Sequence, residues 1–371
     1  MIGCGAWGRV HALALQAMGS GVRRFFASRT TERARDFART FSGEDAFDSP
    51  ERAFADPRVS AVVIVTPHDS HAPLARAALH AGKHVLVEKP IALTLDDATH
   101  LVELAAEKGL CLAVAEEYRL SPLVRALHEA VADGLIGRVV FAHASAITRF
   151  EPTEPWKRDR HAAGGGVLLD VGIHYIDLLR SLFGEPGRIF ALAPGGEHGP
   201  TELAVSALIS FDNDVSAHVA VTWCGQRVPP APNLELVGEE GALMLDFRRP
   251  WLVHATRLQA GHWSERLRAG LPWRIRRRVP GLLASLPEAR CRRIRVPSDD
   301  LIGSHALIQD YFAAFTGQRA PAVSGVEGTR DLAVVLAGYD SVRTASHAEV
   351  RDPFQPLQRS GAGRSSVTGN P

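Results

Sequence analysis

Asp170, His174 and Asp177 are the residues of this chain whose types and spacing first suggest chemistry. They lie in the stretch Gly164-Gly-Gly-Val-Leu-Leu-Asp-Val-Gly-Ile-His-Tyr-Ile-Asp177, at i, i+4 and i+7. A helix over Val167–Leu182 would set all three on one face. Nearly every other residue of that helix is apolar, as in a helix buried on most sides. Ionisable groups on such a helix are costly unless they are paired or face a cavity. Histidine titrates near neutrality, so His174 is a natural carrier of a proton to and from a reacting hydroxyl. The alternative is a core histidine satisfied by a carboxylate. The glycines at 164–166 would let a backbone or a ligand approach the helix start.

Two upstream motifs favour the chemical reading. Gly82-Lys-His-Val-Leu-Val-Glu-Lys-Pro90 contains a short buried strand, Val85–Val87, with Glu88, Lys89 and Pro90 at its carboxyl end, where open α/β sheets bind ligands. Lysine occurs only at positions 83, 89, 108 and 157, against a large excess of arginine, so Lys89 reads as a site where a compact ammonium is wanted. The chain opens with Gly3-Cys4-Gly5-Ala6-Trp7-Gly8, a G-x-G-x-x-G turn leading into a helical run to Met18. Such glycines permit a tight turn and close approach of a pyrophosphate to a helix N-terminus. A second strand, Val22–Ala27, ends in Ser28-Arg29, and no acid follows until Glu32. Asp or Glu there would hold the ribose hydroxyl of NAD; Ser28 and Arg29 suit the 2′-phosphate of NADP, so NADP is favoured over NAD. Another strand, Ala61–Val65, ends in Thr66-Pro67-His68-Asp69-Ser70-His71, a loop suited to run along a dinucleotide, with a helix from about Ala72 to Ala81.

Strand and helix patterns alternate from Met1 to about Glu116, which argues for a doubly wound parallel sheet. Only Met1 and Ile2 precede Gly3, so the central strand looks clipped, as if the natural start lay upstream. A second domain begins with a helix over Arg119–Gly134 and continues into long alternating strands at Val139–Ala146, Leu203–Phe211 and Val215–Trp223. Turns at 212–214 and 238–241 close hairpins, the second between Leu234–Val237 and Ala242–Phe247. Helices at Ser304–Thr316 and Gly328–Ala345 follow. The expected division is 1–118, 119–358, and a disordered tail over 359–371. At 371 residues, 46% hydrophobic and net charge +1, the chain can bury two cores and gives no global case for nucleic acid or membrane. Cys4, Cys111, Cys224 and Cys291 show neither metal nor disulfide spacing, which suits a reducing cytoplasm. Asp170 and His174 have helical ligand spacing, but no third ligand is signalled, so no metal is expected. Residues 248–295 are rich in arginine, with Trp251, Trp263 and Trp273; a solvated basic insertion, an anionic substrate or partner, and a membrane surface remain open.

The order and spacing of these motifs resemble the family of glucose–fructose oxidoreductase, inositol dehydrogenase and MocA, from Gly3 to about Arg343. The resemblance implies an N-terminal Rossmann domain and a C-terminal α/β domain with a large, open, mostly antiparallel sheet. That sheet faces the active site and often the next subunit, in a dimer or tetramer. It further implies that Lys89, Asp170 and His174 are the catalytic set, and that Thr66, Pro67, His71 and Glu88 line the cofactor. Many relatives carry Glu-Asn-Tyr-Arg after the strand Leu112–Ala115, whereas this chain has Glu116-Glu117-Tyr118-Arg119, so Glu117 puts an acid where an amide stands. Glu117, Tyr118 and Arg119 are candidate substrate contacts, and so are Trp156, Lys157 and Arg158, ahead of the glycines. In such an enzyme His174 would be the base, Lys89 would steady the alkoxide, and Asp170 would orient the imidazole or bind a second hydroxyl. The expected activity is hydride transfer between a nicotinamide and a secondary carbinol of a sugar, cyclitol or nucleotide sugar. Two alternatives stand: a glycosidase of the same family that works by transient oxidation with retained NAD, and a non-catalytic dinucleotide sensor, against which the intact Lys89, Asp170 and His174 count.

Overall fold

Short strands, most of them apolar, separated by helices fold the first 116 residues around a parallel sheet, since parallel neighbours need helical crossovers. The computed structural model describes residues 1–151, 154–194, 201–225, 233–257, 289–296 and 298–355. The strands are β1 (Phe25–Ala27), β2 (Asp45–Phe47), β3 (Ala61–Ile64), β4 (His84–Glu88) and β5 (Leu112–Ala115). Helices α1 (Ala6–Ala17), α2 (Thr31–Thr40), α3 (Pro50–Ala55), α4 (His71–His80) and α5 (Leu95–Glu107) alternate with them. β1 pairs with β2, and β3, β4 and β5 pair in that order, all parallel. Ile2 joins the two groups by bridging Ala27 on one side and Ile64 on the other. The expected first strand is therefore a single bridging residue at the centre of the sheet. β1 is shorter than the expected Val22–Ala27, because a 3-10 turn over Gly19–Gly21 feeds into it and the ladder starts only at Phe25.

A 3-10 turn over Glu117–Leu120 leads from β5 into α6 (Pro122–Ala132). The helix expected from Arg119 starts later because Ser121 caps it, accepting from the Leu123 N–H, and Pro122 occupies its first turn. The second sheet contains β6 (Val139–Ile147), β7 (Pro186–Leu192), β8 (Ala204–Phe211), β9 (Ser216–Thr222), β10 (Leu234–Gly238), β11 (Gly241–Leu245), β12 (Trp251–Arg257), β13 (Ala289–Arg295) and β14 (Ala348–Glu349). Its order is β13-β12-β11-β10-β6-β9-β8-β7-β14, with β6 and β9 parallel and all other neighbours antiparallel. Both expected hairpins form, β8–β9 around 212–214 and β10–β11 around 239–240. Along β8, Val205, Ala207, Ile209 and Phe211 are buried while Leu208 stands exposed, so one face is core and the other open.

The covered face carries the short helices α7 (Pro155–Arg158) and α8 (Arg160–Ala163), then α9 (Ile173–Phe183); α10 (Ser304–Phe315) and α11 (Gly325–Thr344) follow later in the chain. Among the described residues one stretch, 160–183, is long and apolar enough by composition to cross a membrane, and 78% of its most apolar window is buried inside the protein. Each fully buried Leu or Ile there contributes about 1.5–3 kcal/mol, so the helix is held by packing. Most of the arginine-rich segment, residues 258–288 with Trp263 and Trp273, and the tail 359–371 lie outside the described residues.

Candidate active site

The helix that carries Asp170 and His174 is not α-helical throughout. Leu168–Gly172 winds as a π turn before α9 begins, and such turns re-aim side chains relative to simple i, i+4 spacing. The three residues of the expected stripe consequently serve different partners. Asp170 Oδ1 accepts from Lys89 Nζ at 3.0 Å and Oδ2 from Lys157 Nζ at 2.6 Å. Lys89 also donates to the Asp170 carbonyl at 2.5 Å. His174 Nδ1 shares a 2.6 Å hydrogen bond with Glu116 Oε1. Asp177 is fully buried and takes the Arg119 guanidinium in two bonds. The residue that orients the imidazole is therefore Glu116, and the expected orienting role of Asp170 is corrected.

Burial opposes the charge on both members of the central pair. For Asp170 the nearby Lys89, Lys157 and His68 outweigh it and hold the carboxyl below its usual range. For Lys89 the carboxylates of Asp170 and Glu88 outweigh it and raise the ammonium. Burial, reinforced by Lys89, pushes the imidazole of His174 down to about 4, so at neutral pH it is an uncharged base. Because Glu116 takes Nδ1, Nε2 is the nitrogen left to meet a substrate. Tyr118 stacks on the His174 ring, centroids 4.6 Å apart, and packs against Phe247 at 4.3 Å.

The three glycines are packed against protein atoms, and at Gly166 the neighbour is a backbone. A Cβ on Gly166 would lie 2.1 Å from the Glu202 carbonyl oxygen, and one on Gly165 would lie 2.0 Å from the Tyr339 hydroxyl. Glu202 uses this space to cap the helix start. Its carbonyl accepts from the Val167 N–H at 3.0 Å, and its carboxylate accepts from Gly166 N–H at 2.7 Å, Leu168 N–H at 3.0 Å and Tyr339 Oη–H at 2.9 Å. These bonds satisfy donors that a helix start otherwise leaves orphaned.

The glycine-rich turn fits a dinucleotide. Gly3 adopts φ +104°, and a Cβ there would strike the Val65 carbonyl oxygen at 2.0 Å; one on Gly8 would come within 2.7 Å of the Gly3 carbonyl oxygen. A Cβ on Gly5 meets nothing within 4 Å, so the space above the helix start is open. α1 has neither a side-chain cap nor an acid in its first turn, which leaves its N–H donors free for phosphate oxygens. Gly5, Ala6 and Trp7 are exposed around that opening. Across the sheet, Ser28 and the exposed Arg29 follow β1. Glu88, at the end of β4, is buried and bonds His11 of α1 at 2.5 Å, tying the phosphate-binding helix to the strand that delivers Lys89.

Other expected residues divide clearly. The Lys89–Pro90 peptide is cis. His71 is buried, with Nδ1 2.8 Å from the Pro90 carbonyl and Nε2 2.8 Å from the Thr66 carbonyl, so it staples the Thr66-Pro67 loop to the lysine turn. Trp156 lies edge-on to His68 at 4.7 Å, and Lys157 Nζ sits 5.3 Å from both the Trp156 and Phe150 ring centroids. Arg158 points away, exposed and 3.5 Å from Glu151. Arg119 is likewise corrected as a substrate contact, because Asp177 and Glu327 engage its guanidinium. Glu117 is buried beside His174. Glu116, Glu117 and His174 each offer one ligand atom within 4.8 Å of the others, a group that leaves out Asp170 of the pair the spacing suggested. The charge of Lys89, felt at His174, works against a further cation there. Sequence spacing did not reveal Glu116 as the partner of His174, His68 beside Asp170 at 3.8 Å, His11 or Glu202.

Residues 1–116 match the family described as "Oxidoreductase family, NAD-binding Rossmann fold", and residues 124–244 match the GFO/IDH/MocA C-terminal domain. Among curated proteins, levoglucosan dehydrogenase of Pseudarthrobacter phenanthrenivorans is 28% identical over 67% of this chain and 73% of its own. The 1,5-anhydro-D-fructose reductase of Ensifer adhaerens is 33% identical over 62% of this chain and 70% of its own. A solved levoglucosan dehydrogenase, in complex with NADH and levoglucosan, shares the fold with a TM-score of 0.78 at 23% identity, over 95% of this chain and 98% of that one. The chain belongs to the Gfo/Idh/MocA oxidoreductase family and is an NAD(P)-dependent oxidoreductase.

Proposed function

We propose that this family member interconverts a secondary alcohol and a ketone on a polyhydroxylated ring, a sugar, cyclitol or nucleotide sugar, and prefers NADP. One observation carries the reading: at the carboxyl ends of β4 and β5, beside an uncapped glycine-rich helix start, the fold sets a neutral imidazole, oriented by Glu116, near an ammonium held by Asp170. The bound dinucleotide supplies the hydride acceptor, or the donor in the reverse direction. His174 Nε2 takes the hydroxyl proton while Nδ1 stays hydrogen-bonded to Glu116. Lys89 Nζ stabilises the alkoxide as charge develops, an effect strongest in a site shielded from water. Asp170, between two ammonium groups, fixes where Lys89 and Lys157 stand.

Trp156, Phe150 and Trp223 around Lys157 offer apolar faces to ring C–H groups, while the ammonium meets hydroxyls or an anionic substituent. The names of the two relatives, a levoglucosan dehydrogenase and an anhydrofructose reductase, support a pyranose-like ring. The exposed Arg29, with no acid before Glu32, supports NADP. The open sheet face, where Phe141, Leu192 and Leu208 are exposed, supports association of copies of the chain. The test is turnover of a panel of pyranoses, anhydrosugars, inositols and nucleotide sugars with each dinucleotide. Reduced cofactor accumulating with at least one ring polyol supports the reading; glycoside cleavage without net reduction refutes it.

A further inference from the structure

Glu117 is the ionisable group of the site for which the mechanism above has no use. It is 2% exposed, its Oε2 is buried without a hydrogen-bond partner, and one carboxylate oxygen lies within 4.8 Å of a His174 ring nitrogen. A buried acceptor without a donor is costly, and that cost calls for compensation within the site. The groups facing it are Glu88 and Lys89 from β4, Glu116 from the end of β5, His11 from α1, Tyr118 from its own turn, and His174. Of these, His174 alone is an uncharged base at rest that becomes a cation when an alcohol is oxidised.

We infer that Glu117 is the positioning residue that governs the proton affinity of His174: its carboxylate stabilises the imidazolium formed when the alcohol gives up its proton, and its acid form withdraws that support. The inference rests on His174 being the base. During oxidation the hydroxyl proton moves to Nε2, and the new positive charge is matched by Glu117 while Glu116 keeps Nδ1. During reduction the proton returns from Nε2 to the nascent alkoxide, a step favoured when Glu117 is neutral. Burial, reinforced by Glu88 and Glu116 and opposed by His174, raises the Glu117 carboxyl to about 7. Rising pH through that value therefore ionises Glu117 and favours oxidation, while falling pH favours reduction.

The experiment follows the ring-nitrogen NMR signal of His174 against pH in full-length protein labelled in histidine nitrogen. The signal is assigned by its loss in His174→Gln. Wild type is compared with Glu117→Gln and with Glu117→Asp, which keeps the charge. The expected result is a step in the His174 ring-nitrogen shift near pH 7 in wild type, where Glu117 ionises beside the neutral imidazole, kept in the Asp variant and absent in the Gln variant. In parallel, the inflection near pH 7 in the rate of alcohol oxidation should vanish in Glu117→Gln, while ketone reduction is retained. A His174 signal without that step in wild type, or a step that persists in folded Glu117→Gln protein, overturns the inference. A step lost in Glu117→Gln, in a protein that turns over no polyol, leaves the coupling standing and refutes the proposed function instead.

Discussion

Replacing Glu202 by alanine is expected to loosen the helix that carries Asp170 and His174, although Glu202 lies more than thirty residues downstream of its start. The substitution leaves the Gly166 and Leu168 N–H groups and the Tyr339 hydroxyl without their acceptor. Hydrogen bonds to a charged group contribute about 1.5–3 kcal/mol each and are not additive when they share an acceptor, so the net loss is about 3–5 kcal/mol. Against a total stability of about 5–15 kcal/mol that is a large fraction, equivalent to a fall in Tm of roughly 5–15 °C. Glu202→Gln keeps the oxygen shared by Leu168 and Tyr339 and turns an amide towards Gly166 N–H, so its cost should be about half. Differential scanning calorimetry gives the stability, and turnover at a temperature where every variant is folded gives the catalytic effect. A lower kcat with dinucleotide affinity preserved is the expected pattern, since α1 and its glycines lie elsewhere. Wild-type stability and kcat in Glu202→Ala would refute the account of how the helix is positioned.

Lys89→Ala should reduce turnover by roughly 10²–10⁴-fold, with dinucleotide binding retained and Asp170 still held by Lys157; full activity would remove Lys89 from the mechanism. Arg29→Asp should weaken NADPH binding by roughly 10–100-fold while sparing NADH, as read by nucleotide fluorescence titration, and an unchanged preference would make Arg29 a surface residue only. Treatment with a chelator should leave turnover unchanged, because Glu116 already occupies His174 Nδ1; activity lost and then restored by zinc would reassign the Glu116, Glu117 and His174 group to a metal. Gly3→Ala should prevent stable folding or shift the whole turn, since its Cβ meets the Val65 carbonyl at 2.0 Å; circular dichroism and dinucleotide affinity both report it, and native values would contradict the packing described.

The parts of the site that were legible in the sequence are those set by local chemistry. The glycine-rich turn, Lys89 at a strand end and the Asp170–His174 helix each announce themselves within about ten residues, because turns, strand ends and helix faces follow from short-range rules. The partners were not legible. Glu116 reaches His174 across 58 residues, Glu88 reaches His11 across 77 and Glu202 reaches Gly166 across 36, and nothing in the spacing of either partner marks the other. The π turn at Leu168–Gly172 redirected Asp170 to the two lysines, a change that helical periodicity does not encode. Arg119, taken from the segment shared with the family, and Asp177, taken from the helical stripe, looked like site residues; the fold commits them to each other.

The most direct test is to supply ring polyols deuterated at the carbinol carbons, together with oxidised dinucleotide, and to look for the label on the nicotinamide. The account predicts transfer of deuterium by the wild-type protein, and its loss in His174→Ala protein that still binds the dinucleotide. A folded, dinucleotide-bound wild-type protein that transfers no label from any ring polyol, or transfer that persists in His174→Ala, would contradict it.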